Sequence, residues 1–453
     1  MRPIKKLAYL FLTFNLNSYA QELNSNKIIL SLDLEKAMDI AEKNSSEVKL
    51  TNTELQNFNS QHTLSFFKLG PSLSVQGSTN WYPNQNSNYN SSSPDRKADA
   101  SISLEQPITG LWQNAYKISE LSSKTDSASF DLKGAKIKAR TEGAQTFINS
   151  QQAYNDLEIK KAAYEYSTLL YKETSILFET GDETKDKIDL LLSQANAAKS
   201  EIAYENAKNE FQNKVADLKK ALNLNENVSI QIKNEDKSNW EKQENKIPEL
   251  NTLLNQSQKN RSEIKSLDSK IKATNSNIAY QNFNFLPSAS FVSSYSNSES
   301  FGNKSNALDP NSGTFLSDNS FSVGLKLSWT IWDSGISLSN RIDSVNELEK
   351  NKINKDKKLI DISNEVINAF NNLKTSILVL PQSKSVAEVL EQAYKLSKIK
   401  YKTGNLNASE LIKTQNEFIN SKIELSKLRS DIDNNWIKLQ AAIGKNPISS
   451  DKR

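Results

Sequence analysis

Two spacings of apolar residues alternate along this chain, one helical and one of period two, and the alternation occurs twice. Leu34, Met38 and Ala41 predict an amphipathic helix that runs on through Lys43-Asn44-Ser45-Ser46-Glu47-Val48-Lys49. Leu250, Leu253 and Leu254 predict a second, continuing through Lys259-Asn260-Arg261-Ser262-Glu263-Ile264-Lys265. After each helix the period changes. Phe321, Val323, Leu325, Leu327, Trp329 and Ile331 alternate with Ser322, Gly324, Lys326, Ser328 and Thr330, the pattern of a strand with one apolar side and one wet side. Ala289, Phe291 and Tyr295 mark its partner, and Leu73, Val75 and Trp81 with Ala98, Ala100, Ile102 and Leu104 mark a fainter pair. The predicted strands are 69–82, 98–108, 287–296 and 320–331, forming strand pairs over 69–108 and 287–331. Trp81, Tyr82, Phe315, Trp329 and Trp332 gather near strand ends, and the intervening segments 84–97 and 297–319 read as long polar hairpin loops.

The remainder of each half is a pair of very long helices. Residues 112–178 contain no Pro and only two Gly, Gly134 and Gly143. At ~1.5 Å per residue, a helix of about 65 residues is a rod of roughly 100 Å, longer than an ordinary globular domain holds. Turns at Thr180-Gly181-Asp182 and Thr403-Gly404-Asn405 fold these rods into helical hairpins over 112–222 and 336–443. Leu411, Phe418, Leu425, Ile432 and Leu439 fall seven apart, whereas Ile188, Leu191, Ala195, Ala198 and Ile202, like Ile362, Val366, Phe370, Leu373, Ile377 and Leu380, step by threes and fours. Those are coiled-coil spacings for helices packed along their length. Gly404 stands where a left-handed residue ends a helix, Asn407 and Glu410 have capping-box spacing, and Leu406 can staple onto Leu411. Pro381 predicts a kink or local unwinding.

The halves are copies. Lys43 to Lys49 and Lys259 to Lys265 match at a spacing of 216 residues, as do Pro71-Ser72 and Pro287-Ser288; Phe178-x-x-Gly181 and Tyr401-x-x-Gly404 match at 223. Such a unit is too long for a solenoid repeat. The first spans 21–230 and the second 248–445, with a charged linker at 231–247, a small alternating piece at Val228, Ile230 and Ile232 beside it, and a tail at 446–453.

The first 20 residues read as a secretory signal: Arg2, Lys5 and Lys6, an apolar run, then Ser18-Tyr19-Ala20. Losing those three basic residues lowers the formal charge from +4 to +1, so the chain has no net basic surplus pointing to nucleic acid. With no Cys there is neither a lipid-anchor cysteine nor a disulfide. With one His and no Cys there is no Cys/His zinc site, and no phosphate-cradling loop or nucleophile elbow points to a catalytic centre around the single His, so the chain is expected not to be an enzyme and to need no cofactor or metal. His62 reads as a surface or packing residue. Four strands cannot close a barrel, because an unpaired edge in lipid leaves backbone groups without partners, so the chain is expected to oligomerise. An eight-stranded dimer competes with larger assemblies, and a secreted coiled-coil or adhesin-like structural protein is the alternative class.

In order and spacing these features resemble the TolC-like outer-membrane efflux proteins: a signal, two copies of helix, strand pair and long helical hairpin, and Tyr401-x-x-Gly404 with its Phe178-x-x-Gly181 counterpart. The resemblance implies a mainly α fold with membrane β-strands, a homotrimer whose twelve-stranded β-barrel in the outer membrane continues as a long α-helical coiled-coil barrel in the periplasm. It implies the exit duct of a tripartite efflux pump or type I secretion system, with a periplasmic adaptor (membrane fusion protein) and an inner-membrane RND or ABC pump as partners. Adaptor docking would fall on Thr180, Gly181, Asp182, Thr403, Gly404 and Asn405. Gate candidates would be Tyr401, Glu410 and Lys413, with Asp186, Lys187 or Asp189 facing them. This sequence departs from the family pattern at Ser45, where Pro is common, and at Lys413, Leu406 and Lys187, where an acid, a base and an acid are expected. Glu410 also has a purely local reading as a helix cap, and Tyr401 as hairpin core.

The loops should face the cell exterior, because the long helices occupy the other end of each strand pair. An epitope inserted at Ser92 or Ser305 should label on intact cells; labelling only after permeabilisation would invert the topology.

Overall fold

A computed structural model describes residues 28–81, 96–180, 186–225, 227–232, 247–301 and 316–447. Its order is β1 (Ile28–Leu32), α1 (Leu34–Asn44), α2 (Ser46–Phe67), β2 (Ser72–Trp81), β3 (Arg96–Pro107), α3 (Gly110–Glu179) and α4 (Lys187–Ala221), then β4 (Val228–Ile232), α5 (Leu250–Asn260), α6 (Ser262–Asn282), β5 (Ser288–Phe301), β6 (Leu316–Ser328), α7 (Ile336–Lys402) and α8 (Ala408–Ala442). The second half thus repeats the first element for element.

Helices α3 and α7 run the length of the molecule. Toward the sheet the packing order is α2-α3-α6-α7, and toward the far end α4-α3-α8-α7. The sheet is ordered β2-β3-β5-β6, all antiparallel. Each strand is joined by a few residues to the helix of the same rank, α2 to β2, β3 to α3, α6 to β5 and β6 to α7. One edge of the molecule is therefore β2 with α2 and α4, and the other is β6 with α7.

Register assigns every strand residue to a face. Leu73, Leu104, Ser293 and Val323 lie in one cross-strand row and Val75, Ile102, Tyr295 and Phe321 in the next. Ser74, Ser103, Ser294 and Ser322 form a row on the opposite face, and so do Gln76, Ser101, Ser296 and Ser320. On that face hydroxyls satisfy one another across strands: Ser74 with Ser103 at 2.7 Å, Ser294 with Ser322 at 2.9 Å and Ser296 with Ser320 at 2.7 Å. The sheet has one face fit for hydrocarbon and one fit for water.

Near mid-height a waist is built from β1, α1, α5 and β4. Strands β1 and β4 stand at equivalent places in the two halves and pair in parallel, Ile29 opposite Ser229 and Leu30 opposite Ile230. Leu32, Ala37 and Ala41 pack with Phe147, Leu218 and Leu222. Met38 joins the main core, in which α7 residues Val366, Leu373 and Ile377 meet Ile432, Trp436 and Ile437 of α8. Helix α1 comes so close to α3 that a β-carbon at Gly143 would lie 2.5 Å from that of Ala41.

Several expectations need correcting. The opening helices do not run through the Lys-Asn-x-Ser-Glu match: Ser45 (ψ 126) and Arg261 (ψ 124) are extended, so each helix breaks in two. Ser45 caps the second helix, its hydroxyl oxygen accepting the Val48 N–H at 3.4 Å. Strands β3, β5 and β6 reach further into the presumed loops than predicted, starting at Arg96, ending at Phe301 and starting at Leu316, because polar residues extend a strand wherever a neighbour's backbone pairs with them. Trp329 and Ile331 lie beyond the end of β6. Helix α7 passes through Pro381 without unwinding, although the proline removes one backbone donor. Tyr82 and Phe315 lie outside the described residues, as do the loop positions Ser92 and Ser305. Strand β1 had not been expected.

The waist closes on two left-handed residues in equivalent places. Asn223 (φ 48) follows α4 and Gly444 (φ 74) follows α8. The Asn44 side-chain amide donates to the Leu222 carbonyl at 3.1 Å, and the Arg261 guanidinium donates to the Ala441 carbonyl at 3.2 Å while holding Glu263 (2.7 Å) and Glu365 (2.8 Å). A β-carbon at Gly444 would fall 2.8 Å from the Asn260 carbonyl carbon and 2.9 Å from the Arg261 nitrogen. Gly444→Ala should therefore combine left-handed strain with overpacking and cost about 2–4 kcal/mol, read as a lower unfolding midpoint of the purified protein. A midpoint within error of the parent would contradict that packing.

Candidate functional site

The ends of the hairpins farthest from the sheet gather most of the candidate residues. In the second half α7 ends at Lys402, and the Asn405 N–H donates to the Lys400 carbonyl (2.9 Å) and that of Gly404 to Tyr401 (3.2 Å). This pair of bonds needs the left-handed backbone that Gly404 supplies (φ 77). The chain then turns to Asn407, whose Oδ1 accepts the Glu410 N–H at 2.9 Å, and Leu406 packs against the small cluster that contains Leu411. The Glu410 carboxylate is exposed, as are Thr403, Asn405 and Lys413.

In the first half Thr180 ends α3, its hydroxyl donating to Ile176 at 2.9 Å. Gly181 and Asp182 lie outside the described residues. Asp186 caps α4, its Oδ1 accepting the Asp189 N–H at 2.8 Å, while Lys187 is exposed. Asp189 turns the other way. Its side chain is buried and accepts the N–H of Ala408, the first residue of α8, at 2.8 Å. A carboxylate of one hairpin thus sits at the positive end of a helix in the other, where the macrodipole favours it.

Tyr401 also crosses between hairpins. It is 3% exposed, packs with Leu170, Ala408 and Leu411, and its phenol meets the Thr174 hydroxyl at 2.7 Å. Thr174 donates to the Leu170 carbonyl (2.8 Å), so the phenol is the donor to Thr174. Burial pushes the Tyr401 phenol up and the nearby Asp189 charge adds to it, so Tyr401 stays protonated at neutral pH. Higher up, Tyr394 stacks on Phe418 and meets Tyr166 edge-on, with Lys398 over Tyr166 and Lys422 over Phe418 at 4.7 Å each. Beneath them the buried Ser167 hydroxyl is within bonding distance of Asn196 (3.0 Å) and Ser200 (3.0 Å) of α4 and Gln415 (3.2 Å) of α8.

The structure brings Tyr401 and Asp189 to one polar junction and leaves Glu410, Lys413, Thr403, Asn405, Asp186 and Lys187 on the surface of the tips. Thr174, Ser167, Asn196 and Gln415 had not been singled out. Their polar types on coiled-coil faces were the available signal. Among the described residues no group of acidic or His side chains could hold a metal ion. None of the described helices is long and apolar enough to cross a membrane.

A family model of outer membrane efflux proteins matches residues 37–224 and 253–445. The chain belongs to that family. No curated protein sequence matches it. Among solved structures it is similar to the Campylobacter jejuni CmeC outer membrane channel, with 19% identity and a TM-score of 0.73 over 92% of this chain and 88% of that one. It is also similar to the Vibrio cholerae outer membrane protein VceC (13%, 0.74, 92% and 97%) and to the open state of the Neisseria gonorrhoeae MtrE outer membrane channel (14%, 0.69, 91% and 89%). The duplicated, mainly helical fold with its membrane strands is the family fold. Membership makes the chain an outer-membrane channel, the exit duct of a tripartite efflux system. The family's work is transport, in company with an adaptor and an inner-membrane pump.

The Asp189 bond gives the junction a measurable part. Asp189→Ala leaves the Ala408 N–H without its partner and should destabilise the two tips by about 1–2 kcal/mol, seen as faster hydrogen exchange confined to 186–192 and 400–412. Unchanged exchange there would show that the bond does not hold the hairpins together.

Proposed function

We propose that three copies close head to tail into a twelve-stranded barrel continued by a twelve-helix tube, and that the tips are both the mouth of this duct and the seat of the adaptor's helical hairpin. The observation that carries the first part is the four-stranded sheet with free edges at β2 and β6, one apolar face and one hydroxyl face. In lipid those edges need partners, and pairing β6 of one copy with β2 of the next supplies them. The flanking helices support the same seam. Helix α7 exposes Ile342, Val345 and Ile353 near the sheet and Val389, Leu396 and Ile399 near the tip, whereas the opposite edge exposes Leu50 and Leu64 on α2 and Ile188, Leu191 and Ile202 on α4.

For the second part, the exposed residues at Thr403, Gly404 and Asn405 are small or short and permit another helix pair to approach closely. Thr180, Gly181 and Asp182 have the same character by sequence. The pump behind the adaptor is of the RND or ABC type, and outer-membrane lipid surrounds the barrel. Glu410 and Lys413 near the mouth would then present one acid and one base per copy to passing cargo, and Tyr401 with Asp189 would tie the hairpins of a closed entrance.

A detergent-corrected mass of three chains is expected, and a mass stopping at two would sink the trimer. Gly404→Val, which puts a β-branched residue at a left-handed position, should leave that mass and membrane insertion intact while efflux and adaptor cross-linking fall at least about tenfold. Wild-type transport and cross-linking in this variant would make the tip an ordinary turn and the docking assignment wrong.

A further inference from the structure

The hydroxyl face of the sheet carries few fixed charges, and their placement is uneven. Lys97, Asp99 and Asp318 lie toward the loop end, and Lys97 pairs with Asp99 at 3.3 Å. Glu105 and Lys326 lie at the helix end, on strands β3 and β6 with β5 between them. Glu105 accepts the Ser290 hydroxyl of β5 at 2.6 Å, and the same oxygen lies 3.7 Å from the Lys326 ammonium. Between the two charged levels the face presents Ser101, Ser103, Ser294, Ser296, Ser320 and Ser322. Six residues separate Asp99 from Glu105, about 20 Å along a strand, beyond the ~8 Å over which physiological salt screens a charge.

We propose that the Glu105–Lys326 pair is a charge-selectivity element of the duct, a compensated ring at the base of the barrel that keeps this level of an otherwise hydroxyl-lined passage neutral to ions of either sign. The inference rests on the duct reading and on the hydroxyl face pointing inward. Its logic is local. A carboxylate and an ammonium less than 4 Å apart present a dipole to a passing ion, and their fields cancel within a few ångströms. Removing one partner leaves a full charge per copy at a level where the nearest other fixed charges of the sheet are about 20 Å away. Rings of uncompensated side-chain charge are what make a pore prefer one sign of ion. The pair is solvent-exposed, its side chains 41% and 61% accessible, so it contributes little to folding and its variants should assemble. Ser290 fixes the carboxylate between the strands of the two halves, which places it at a set height.

The test uses the full-length protein in planar lipid bilayers under a KCl gradient near 0.01 M, where the screening length is about 30 Å. Lys326→Gln should raise the cation-to-anion permeability ratio about twofold and Glu105→Gln should lower it by a similar factor. The double variant should return to the parental ratio, and all shifts should fade near 1 M salt, where screening falls to about 3 Å. Assembly of each variant is checked by its heat-modifiable migration. Wild-type protein that conducts while both single variants keep its ratio overturns this inference alone. Shifts of the same sign in both overturn it too, since they would report altered pore shape. Wild-type protein that never conducts would overturn the duct reading and this inference with it.

Discussion

Backbone hydrogen bonding in a medium without water is the constraint on which this molecule turns. Each unsatisfied N–H or C=O in hydrocarbon costs several kcal/mol, and this sheet has two open edges. No rearrangement within one copy repairs them, because the strands are already ordered like the helices that carry them, and closing four strands on themselves is geometrically impossible. The helices inherit the consequence. As β2 continues α2 and β6 continues α7, the strand edges and the exposed apolar stripes of the helices fall on the same two sides. A single requirement thus sets where strands lack partners, where helices lack partners and in which direction a neighbouring copy would come.

Much of this was legible because it depends on period. Strand alternation over 321–331 and the threes and fours of 362–380 report which side of an element is dry, whatever it packs against. The duplicated landmarks gave the order of elements, and Gly404 with Asn407 and Leu406 gave the turn, because caps are written in neighbouring residues. What escaped were features set by partners distant in sequence. The breaks at Ser45 and Arg261 lack a proline and are held by α4 and α8, some 180 residues away. Strand β1 is too short to announce itself without β4, and the outer ends of β3, β5 and β6 are polar stretches that only a neighbour's ladder makes strands.

The candidate site shows the same division. Asp186-x-x-Asp189 has the spacing of Asn407-x-x-Glu410, so its local capping could be read, but a second role for Asp189, at the start of α8, could not. Lys187 is exposed, whereas the Asp189 carboxylate two residues further on is buried against the other hairpin. A cap is written in neighbouring residues, whereas a bond to the start of a helix some 220 residues away is not.

The two halves are joined by different chemistry at the waist and at the tips. At the waist Met38, Ala144 and Ile148 of the first half join Leu253, Val366, Leu373 and Ile437 of the second in one large apolar core, in which each buried aliphatic side chain is worth about 1.5–3 kcal/mol. Near the tips the apolar cluster shrinks to Leu170, Tyr401, Ala408 and Leu411, and the links are the Asp189 cap, the Tyr401 phenol and the polar cluster around Ser167. Such hydrogen bonds contribute about 0.5–1.5 kcal/mol each between neutral groups and somewhat more at the Asp189 carboxylate, because water can replace either partner once the groups separate. Parting the hairpins at the waist would expose apolar surface with no substitute, whereas parting them at the tips exchanges protein partners for water at small net cost. The end of the molecule farthest from the sheet, where the exposed Glu410 and Lys413 stand, is thus the end at which parting the hairpins costs least.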